Sequence, residues 1–292
     1  MPDSQVYING QYLSADDAHL SVEERGTLFA DGVYEVTHYF HGEAFAMSAH
    51  VDRLRRSLAG VRIDEPAWVA DLPAVSDRLV AQLDVDSAAV YWQVTRGPAR
   101  RDHRIPAQTT PTVLAMAYAA PAAQEKLSPD APVATAKAML AEDIRWKQCW
   151  MKTLMLLPNV LARDAAIAAG AADAIFHEDG IITEATASNA FVVRGGEIHT
   201  HPTNGRILPG ITRDVLLALA RDGGIRVHEQ APTVDELRTA DEVFLSSTTT
   251  NVTAITHVDG KAIGDGQPGP VTRQLHTILA RHILQSCNAP VA

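Results

Sequence analysis

Cysteine is nearly absent from this chain: Cys149 and Cys287 are the only two among 292 residues. Two are too few for a disulfide framework or a cysteine zinc site, and no metal site is expected. Lysine is also scarce, with Lys126, Lys137, Lys147, Lys152 and Lys261 standing against twenty arginines. No stretch approaches the ~20 consecutive apolar residues of a membrane helix. Neither a basic start nor an apolar run follows Met1, so no secretory signal is expected. Positive charge is in deficit overall, and the formal net charge of −10 argues against nucleic-acid and anionic-membrane partners. Anionic substrates would have to be met by local arginine clusters. The expected setting is the cytoplasm.

With 46% apolar and 21% charged residues the composition is that of an ordinary globular protein. The length suits two medium domains. Residues 119–132 carry three prolines and few large apolar groups. The expected division is therefore a smaller α+β domain over 1–120, a linker over 121–131 and a larger domain over 132–292. Val6 to Leu13 reads as a hairpin about Asn9-Gly10, and 32–40, 88–95 and 112–119 read as strands of an antiparallel sheet. Ser48 is the expected N-cap of a helix over 49–60, with Val51, Leu54 and Leu58 on its buried face. A second helix is expected over 72–84. In the larger domain Pro158 fits the first turn of a helix ending before Gly170. Strands are expected at 173–176, 181–183, 190–193, 242–246 and 254–258, and helices at 211–220, after Thr233 and at 270–286.

The chemistry starts at Lys152. It is followed by Thr153 and then four apolar side chains, Leu154 to Leu157. If that segment is buried, desolvation lowers the lysine pKa and yields the neutral amine that attacks carbonyls. The alternative is a lysine snorkelling from the edge of a core. A lysine-linked pyridoxal cofactor would further need a carboxylate for its ring nitrogen, a phosphate cup and a substrate reader. Glu184 follows a strand-like run and precedes small residues, which suits the first need. Leu208-Pro-Gly-Ile-Thr-Arg213 opens a helix on Gly210, which suits anion binding, and Ser246 to Asn251 offers a second cluster of hydroxyls and amides. Arg53 is a candidate counter-charge. Arg96, Arg100, Arg101, His103 and Arg104 form a basic patch whose guanidinium groups suit carboxylates.

Taken in order, these segments resemble the fold-type IV pyridoxal-phosphate enzymes, most of all their D-amino-acid aminotransferase branch. The resemblance is carried by Glu-Arg-Gly at 24–26, Asp-Gly-Val-Tyr-Glu at 31–35, His-Val-Asp-Arg-Leu at 50–54 and Thr-Arg-Gly at 95–97. It continues through Asp-Ile-Arg-Trp at 143–146, Lys152 with Asn159, Thr-Glu at 183–184, Ser188-Asn189, Gly210-Ile-Thr-Arg and Ser247-Thr-Thr. It implies a two-domain α+β and α/β fold with pyridoxal 5'-phosphate in the interdomain cleft, and a homodimer acting on amino and 2-oxo acids in two half-reactions.

Lys152 would be the Schiff-base lysine and the base that moves the Cα proton. Glu184 would face the pyridine nitrogen, with Ser188 and Asn189 beside the ring and Leu208 behind it. Arg53, Ile211, Thr212 and Thr248 would hold the phosphate, with Gly210 and Ser247 as further cofactor-binding residues. Tyr34, Arg101 and His103 match the trap for the substrate α-carboxylate, with the arginine and histidine supplied by the partner subunit. Aminodeoxychorismate lyase and the branched-chain or amine transaminases of the same fold are the alternative activities. Thr186-Ala187-Ser188 departs from the serine run of the D-alanine enzymes. The extra arginines at 100 and 104 raise the expectation that acidic D-amino acids are favoured.

Overall fold

The computed structural model describes residues 5–120 and 127–287; the first part of the expected linker, 121–126, lies outside the described residues. The chain forms two compact units. Within the described residues the first unit takes 5–120, 151–155 and 286–287, and the second takes 127–150 and 156–285. A single cut near residue 120 would have placed Lys152 in the second unit, whereas its short segment folds with the first. The remainder of the expected linker is packed: Leu127 is buried, and Thr277 donates a hydrogen bond to Pro129 O.

The first unit begins with the hairpin β1 (Gln5–Ile8) and β2 (Gln11–Ser14). Asn9 and Gly10 both have positive φ, the twist a two-residue turn between right-handed strands requires. After α1 (Arg25–Phe29) come β3 (Gly32–Phe40), β4 (Glu43–Ala44), α2 (Met47–Gly60) and α3 (Leu72–Ala81), then β5 (Ser87–Thr95) and β6 (Thr112–Ala119). The strands form one antiparallel sheet in the order β2-β1-β6-β5-β3-β4. Val51, Leu54 and Leu58 of α2 are buried, as their spacing predicts, and α2 packs on β3 while α3 packs on β5 and β6. Trp92 is fully buried between them, its indole N–H donating to Ser76 Oγ at 2.7 Å, so the one polar atom of that ring is satisfied.

Ser48 is not the N-cap of α2. The helix starts at Met47, and the cap is Ala46 in the left-handed region at φ 54°. Phe45 N–H still pairs with His38 O. The chain thus leaves β4 and enters the helix through two residues, Phe45 and Ala46, and Ser48 falls inside the first turn.

The second unit contains β7 (Ala134–Glu142), α4 (Leu157–Ala168), β8 (Asp173–Glu178), β9 (Ile181–Ala185), β10 (Asn189–Arg194) and β11 (Glu197–Thr200). These are followed by α5 (Ile211–Asp222), β12 (Val227–His228), α6 (Val234–Arg238), β13 (Glu242–Ser247), β14 (Asn251–Val258), β15 (Lys261–Ala262) and α7 (Pro270–Ser286). Its mixed sheet runs β12-β11-β10-β13-β14-β7-β8-β9, with β15 on β14. One further pairing, Asn189 with Glu184, joins β10 to β9 and closes a ring through β10, β13, β14, β7, β8 and β9. The apolar side chains of that ring, among them Ile175, Ile182, Val192, Val243 and Ile255, form its core with Leu237 of α6. The Thr233 capping box expected for α6 is formed in both directions with Glu236.

Candidate active site

Lys152 is fixed by its backbone to the first unit. Tyr34 N–H donates to Lys152 O at 2.9 Å, Leu154 N–H donates to Gly32 O, and Thr153 bridges Val33 of β3. On the other side Lys152 N–H donates to Ser57 Oγ of α2. The side chain reaches over Tyr34, with Nζ 4.0 Å from the ring centroid, and Tyr34 in turn stacks on Tyr91 at 5.6 Å. Lys152 is half-buried. Of the apolar run behind it, Leu154 and Leu156 are half-buried while Met155 and Leu157 are exposed. The face of the Tyr34 ring is what Nζ rests against.

Arg53 is buried on α2 and gripped by Glu35 of β3, its Nε and Nη2 donating to the two carboxylate oxygens at 2.7 and 2.9 Å. His50 Nδ1 adds a contact to the same carboxylate at 2.9 Å. Burial alone would raise the Glu35 pKa, but the charge and hydrogen bonds of Arg53, with those of His50, hold it down to about 2. Burial lowers the His50 pKa from its ordinary value, against the opposing hydrogen bond and charge of Glu35. Glu35 and His50 both lie in segments that carry the resemblance, but their pairing with Arg53 spans β3 and α2 and has no local signature.

The basic loop divides by role. Arg96 is buried and structural: it clasps Asp31 with two nitrogens and donates to Val61 O and Arg62 O. Gly97, at φ +91°, turns the chain where a Cβ would collide with Thr110 O. Arg104 is exposed and closes back on Asp102 at 2.6 Å, so its charge is largely spent within its own loop. Arg101 and His103 share one neighbour, Phe29 of α1, with the Arg101 guanidinium 5.4 Å and the His103 ring 5.5 Å from its ring centroid. Arg25 covers the same ring at 4.8 Å and donates to Asp102 O. Glu24, buried and accepting from Thr95 and Thr112, anchors the start of α1. Phe29 was not anticipated as the platform of this loop.

In the second unit Glu184 sits where the ring of strands closes. Its carboxylate is buried and accepts from Arg145 Nη1, Asn189 Nδ2 and the Leu208 N–H. Burial pushes its pKa upward, against the opposing pull of Arg145 and the Leu208 N–H. Arg145 also clasps Asp143 and lies 4.7 Å over Phe176, so one guanidinium links two buried carboxylates. The Asp-x-Arg spacing at 143–145 was legible as a motif, though not as the partner of Glu184.

Asn189 Nδ2 also donates to Leu208 O. The pair Glu184 and Asn189 thereby holds both backbone polar groups of Leu208, the residue before Pro209-Gly210. At Gly210 a Cβ would collide with Asn189 Oδ1, so the close approach demands glycine. Gly210 is the N-cap of α5, extended and without a side-chain cap, so the first N–H groups of that helix have no capping side chain. Ile211 and Thr212 are buried there, and Ser188 and Leu208 are half-buried.

Ser247 makes contacts with Thr249 and Thr250 across the turn that also contains Thr248. Thr186, at the departure from the serine run, turns its hydroxyl to Asp173 instead.

The model of the class IV amino-transferase family matches residues 32–258. The chain belongs to this family. It is 38% identical over 286 residues to the D-alanine aminotransferase of Listeria monocytogenes, covering 97% of each chain. It is 37% identical over 281 residues to that of Staphylococcus haemolyticus, covering 96% of this chain and 98% of the relative. Among solved structures, the Escherichia coli branched-chain amino acid aminotransferase superposes with a TM-score of 0.85 at 25% identity, covering 96% of this chain and 94% of that one. The branched-chain aminotransferase of the archaeon Thermoproteus uzoniensis, solved with norvaline, gives a TM-score of 0.84 at 24% identity, over 97% and 95% of the two chains. The likeness to the archaeal enzyme is one of fold.

Proposed function

We infer that this chain is a pyridoxal 5'-phosphate-dependent aminotransferase that passes the amino group of a D-amino acid, of the D-alanine, D-glutamate or D-aspartate class, to a 2-oxo acid. Near-full-length likeness to enzymes named D-alanine aminotransferase carries the reading. The residues fit the cofactor: α5 offers uncapped N–H groups behind a glycine that admits no Cβ, and a buried carboxylate is held by three donors. When bound, the cofactor supplies a protonated pyridine ring that draws electrons from the substrate Cα and makes its proton acidic.

In the first unit, Lys152 Nζ would hold the cofactor and would be the base that takes the Cα proton and returns it. The Tyr34 ring holds that amine in line. Glu35 and His50 fix the plane of Arg53, a phosphate ligand. In the second unit, Glu184 would face the pyridine nitrogen, its carboxylate held in place by Arg145 and Asn189. Ile211 and Thr212 at the start of α5, with Ser247 and Thr248, complete the phosphate cup. Ser188 and Asn189 flank the ring, and Leu208 is the apolar wall behind it.

Tyr34, with Arg101 and His103 from a second copy of the chain, reads the substrate α-carboxylate. The working form is a homodimer. Its support is an exposed apolar stripe on α4, Leu157, Val160, Leu161 and Ile167, which recurs at helical spacing and needs cover. The setting is the cytoplasm, where the free Cys149 and Cys287 stay reduced. Among the described residues no helix is long and apolar enough to cross a membrane.

The test is an assay of D-alanine with 2-oxoglutarate, alongside the L-enantiomer and pyruvate release from aminodeoxychorismate, with borohydride trapping and peptide mapping of the labelled lysine. Transfer from D-alanine with the label on Lys152 is expected. A label elsewhere, or lyase activity without transfer, overturns the reading.

A further inference from the structure

The sequence singled out no metal ligands, yet the outer edge of the second unit's sheet brings three together. Glu197 and His199 lie two residues apart on β11 and so project from one face, while Ile198 between them is buried. The edge strand β12 runs parallel to β11 in a register that sets His228 directly beside His199. The two imidazoles stack at 4.6 Å with planes 13° apart. His228 Nε2 lies 2.7 Å from Glu197 Oε2. One potential ligand atom from each residue falls within 4.8 Å of the other two.

We propose that Glu197, His199 and His228 form a surface site for one divalent transition-metal ion of the Zn²⁺ class, bound by two imidazoles and one carboxylate with water completing the shell. Nitrogen with carboxylate oxygen is a donor set that suits Zn²⁺, Co²⁺ and Ni²⁺ and disfavours Mg²⁺ and Ca²⁺. Bond lengths of about 2.1 Å set neighbouring donors about 3.4 Å apart in a tetrahedron, which side-chain rotation within the half-buried trio can reach. Binding would replace the hydrogen bond between His228 and Glu197 with two bonds to the ion.

The surrounding charges do not forbid it. Arg194 and Glu236, both felt by His199, are paired with each other at 3.0 Å. Arg226 is the competitor: it holds Glu197 Oε1 at 2.6 Å, but its side chain is largely exposed and free to swing into water.

The consequence of occupancy is mechanical. β12 is a two-residue strand at the end of the sheet, and an ion shared by His199 and His228 would pin it to β11.

The test is titration of tag-free holoenzyme, cleared of metal by a chelator, with Co²⁺ as an optical probe and then with Zn²⁺ during thermal unfolding. One equivalent of Co²⁺ with visible ligand-field bands is expected, together with a rise in unfolding midpoint with Zn²⁺. In His228→Gln the affinity should fall at least about tenfold, since even outer-shell changes cost that much, and the thermal shift should vanish. Arg226→Ala leaves the ligand set intact and should tighten binding. No binding at about 100 μM ion, undiminished binding in His228→Gln, or weaker binding in Arg226→Ala would each overturn the site.

Discussion

Lys152 and Tyr34 hold each other twice: the tyrosine N–H donates to the lysine carbonyl, and the lysine ammonium rests 4.0 Å from the centre of the tyrosine ring. Backbone and side chain of the proposed Schiff-base lysine are thus referred to one neighbour. Lys152→Ala should lose at least about a thousandfold in turnover. Tyr34→Phe keeps the ring and should retain the amine's placement while weakening substrate binding. Tyr34→Ala should lower turnover as well, as a contact worth about 1 kcal/mol disappears. Steady-state kinetics that separate kcat from KM check the order Lys152→Ala, Tyr34→Ala, Tyr34→Phe.

Glu184 accepts from three donors through both carboxylate oxygens, and a glutamine would keep only one of those two acceptors. Glu184→Gln is expected to lower kcat by about 10²–10³. The bound cofactor's absorption should change with it, since its ring nitrogen would lose the carboxylate. Unchanged turnover and spectrum would remove Glu184 from its proposed place.

Phe29 lies between Arg25, Arg101 and His103. Phe29→Leu keeps an apolar side chain but removes the aromatic face for two guanidinium groups, about 0.5–1 kcal/mol each. The expected result is a KM for D-amino acids raised about five- to tenfold with kcat little changed. A fall in kcat with constant KM would contradict the platform role.

Arg104 is engaged by Asp102 and exposed. The expectation that it favours acidic substrates therefore weakens. Arg104→Ala should alter the ratio of D-glutamate to D-alanine turnover by less than about twofold, as befits a surface ion pair. A larger fall for D-glutamate alone would restore the loop as a side-chain reader.

Acid should unfold the first unit in two stages. His50 has a lowered folded pKa, so below its ordinary value of 6.5 the unfolded chain takes up the proton first and stability falls. Glu35 is ordinarily near 4.5 and is held at about 2, so its contribution is complete above 4.5 and drains away as pH falls toward 2. The Glu35 share is on the order of 3 kcal/mol. Denaturant unfolding from pH 7 to 3 should show this slope, and Glu35→Gln should flatten its lower part while destabilising the protein at pH 7.

The local parts of the fold were readable because their signals are local. Asn9-Gly10, Thr233 with Glu236 and the Leu54–Leu58 spacing each act within a few residues. β7 escaped notice because Ala134-Thr-Ala-Lys-Ala alternates without large apolar groups, and its strand character comes from its parallel neighbours β14 and β8. The site divides in the same way. Lys152, Glu184 and Gly210 stand in segments that can be read alone. Arg145 on Glu184, Glu35 on Arg53 and Phe29 under Arg101 are pairings across 39, 18 and 72 residues, which only the folded chain brings together.

The segment 151–155 keeps company with β3 although most of its flanking sequence belongs to the other unit. Dividing the gene after the proline-rich stretch would therefore strand Lys152, the proposed Schiff-base lysine. A fragment starting at 132 would carry Lys152 without the strand that grips its main chain, and the complementary piece would keep the grip with nothing to seize. Neither half would be expected to form the coloured, reducible adduct until the two were mixed.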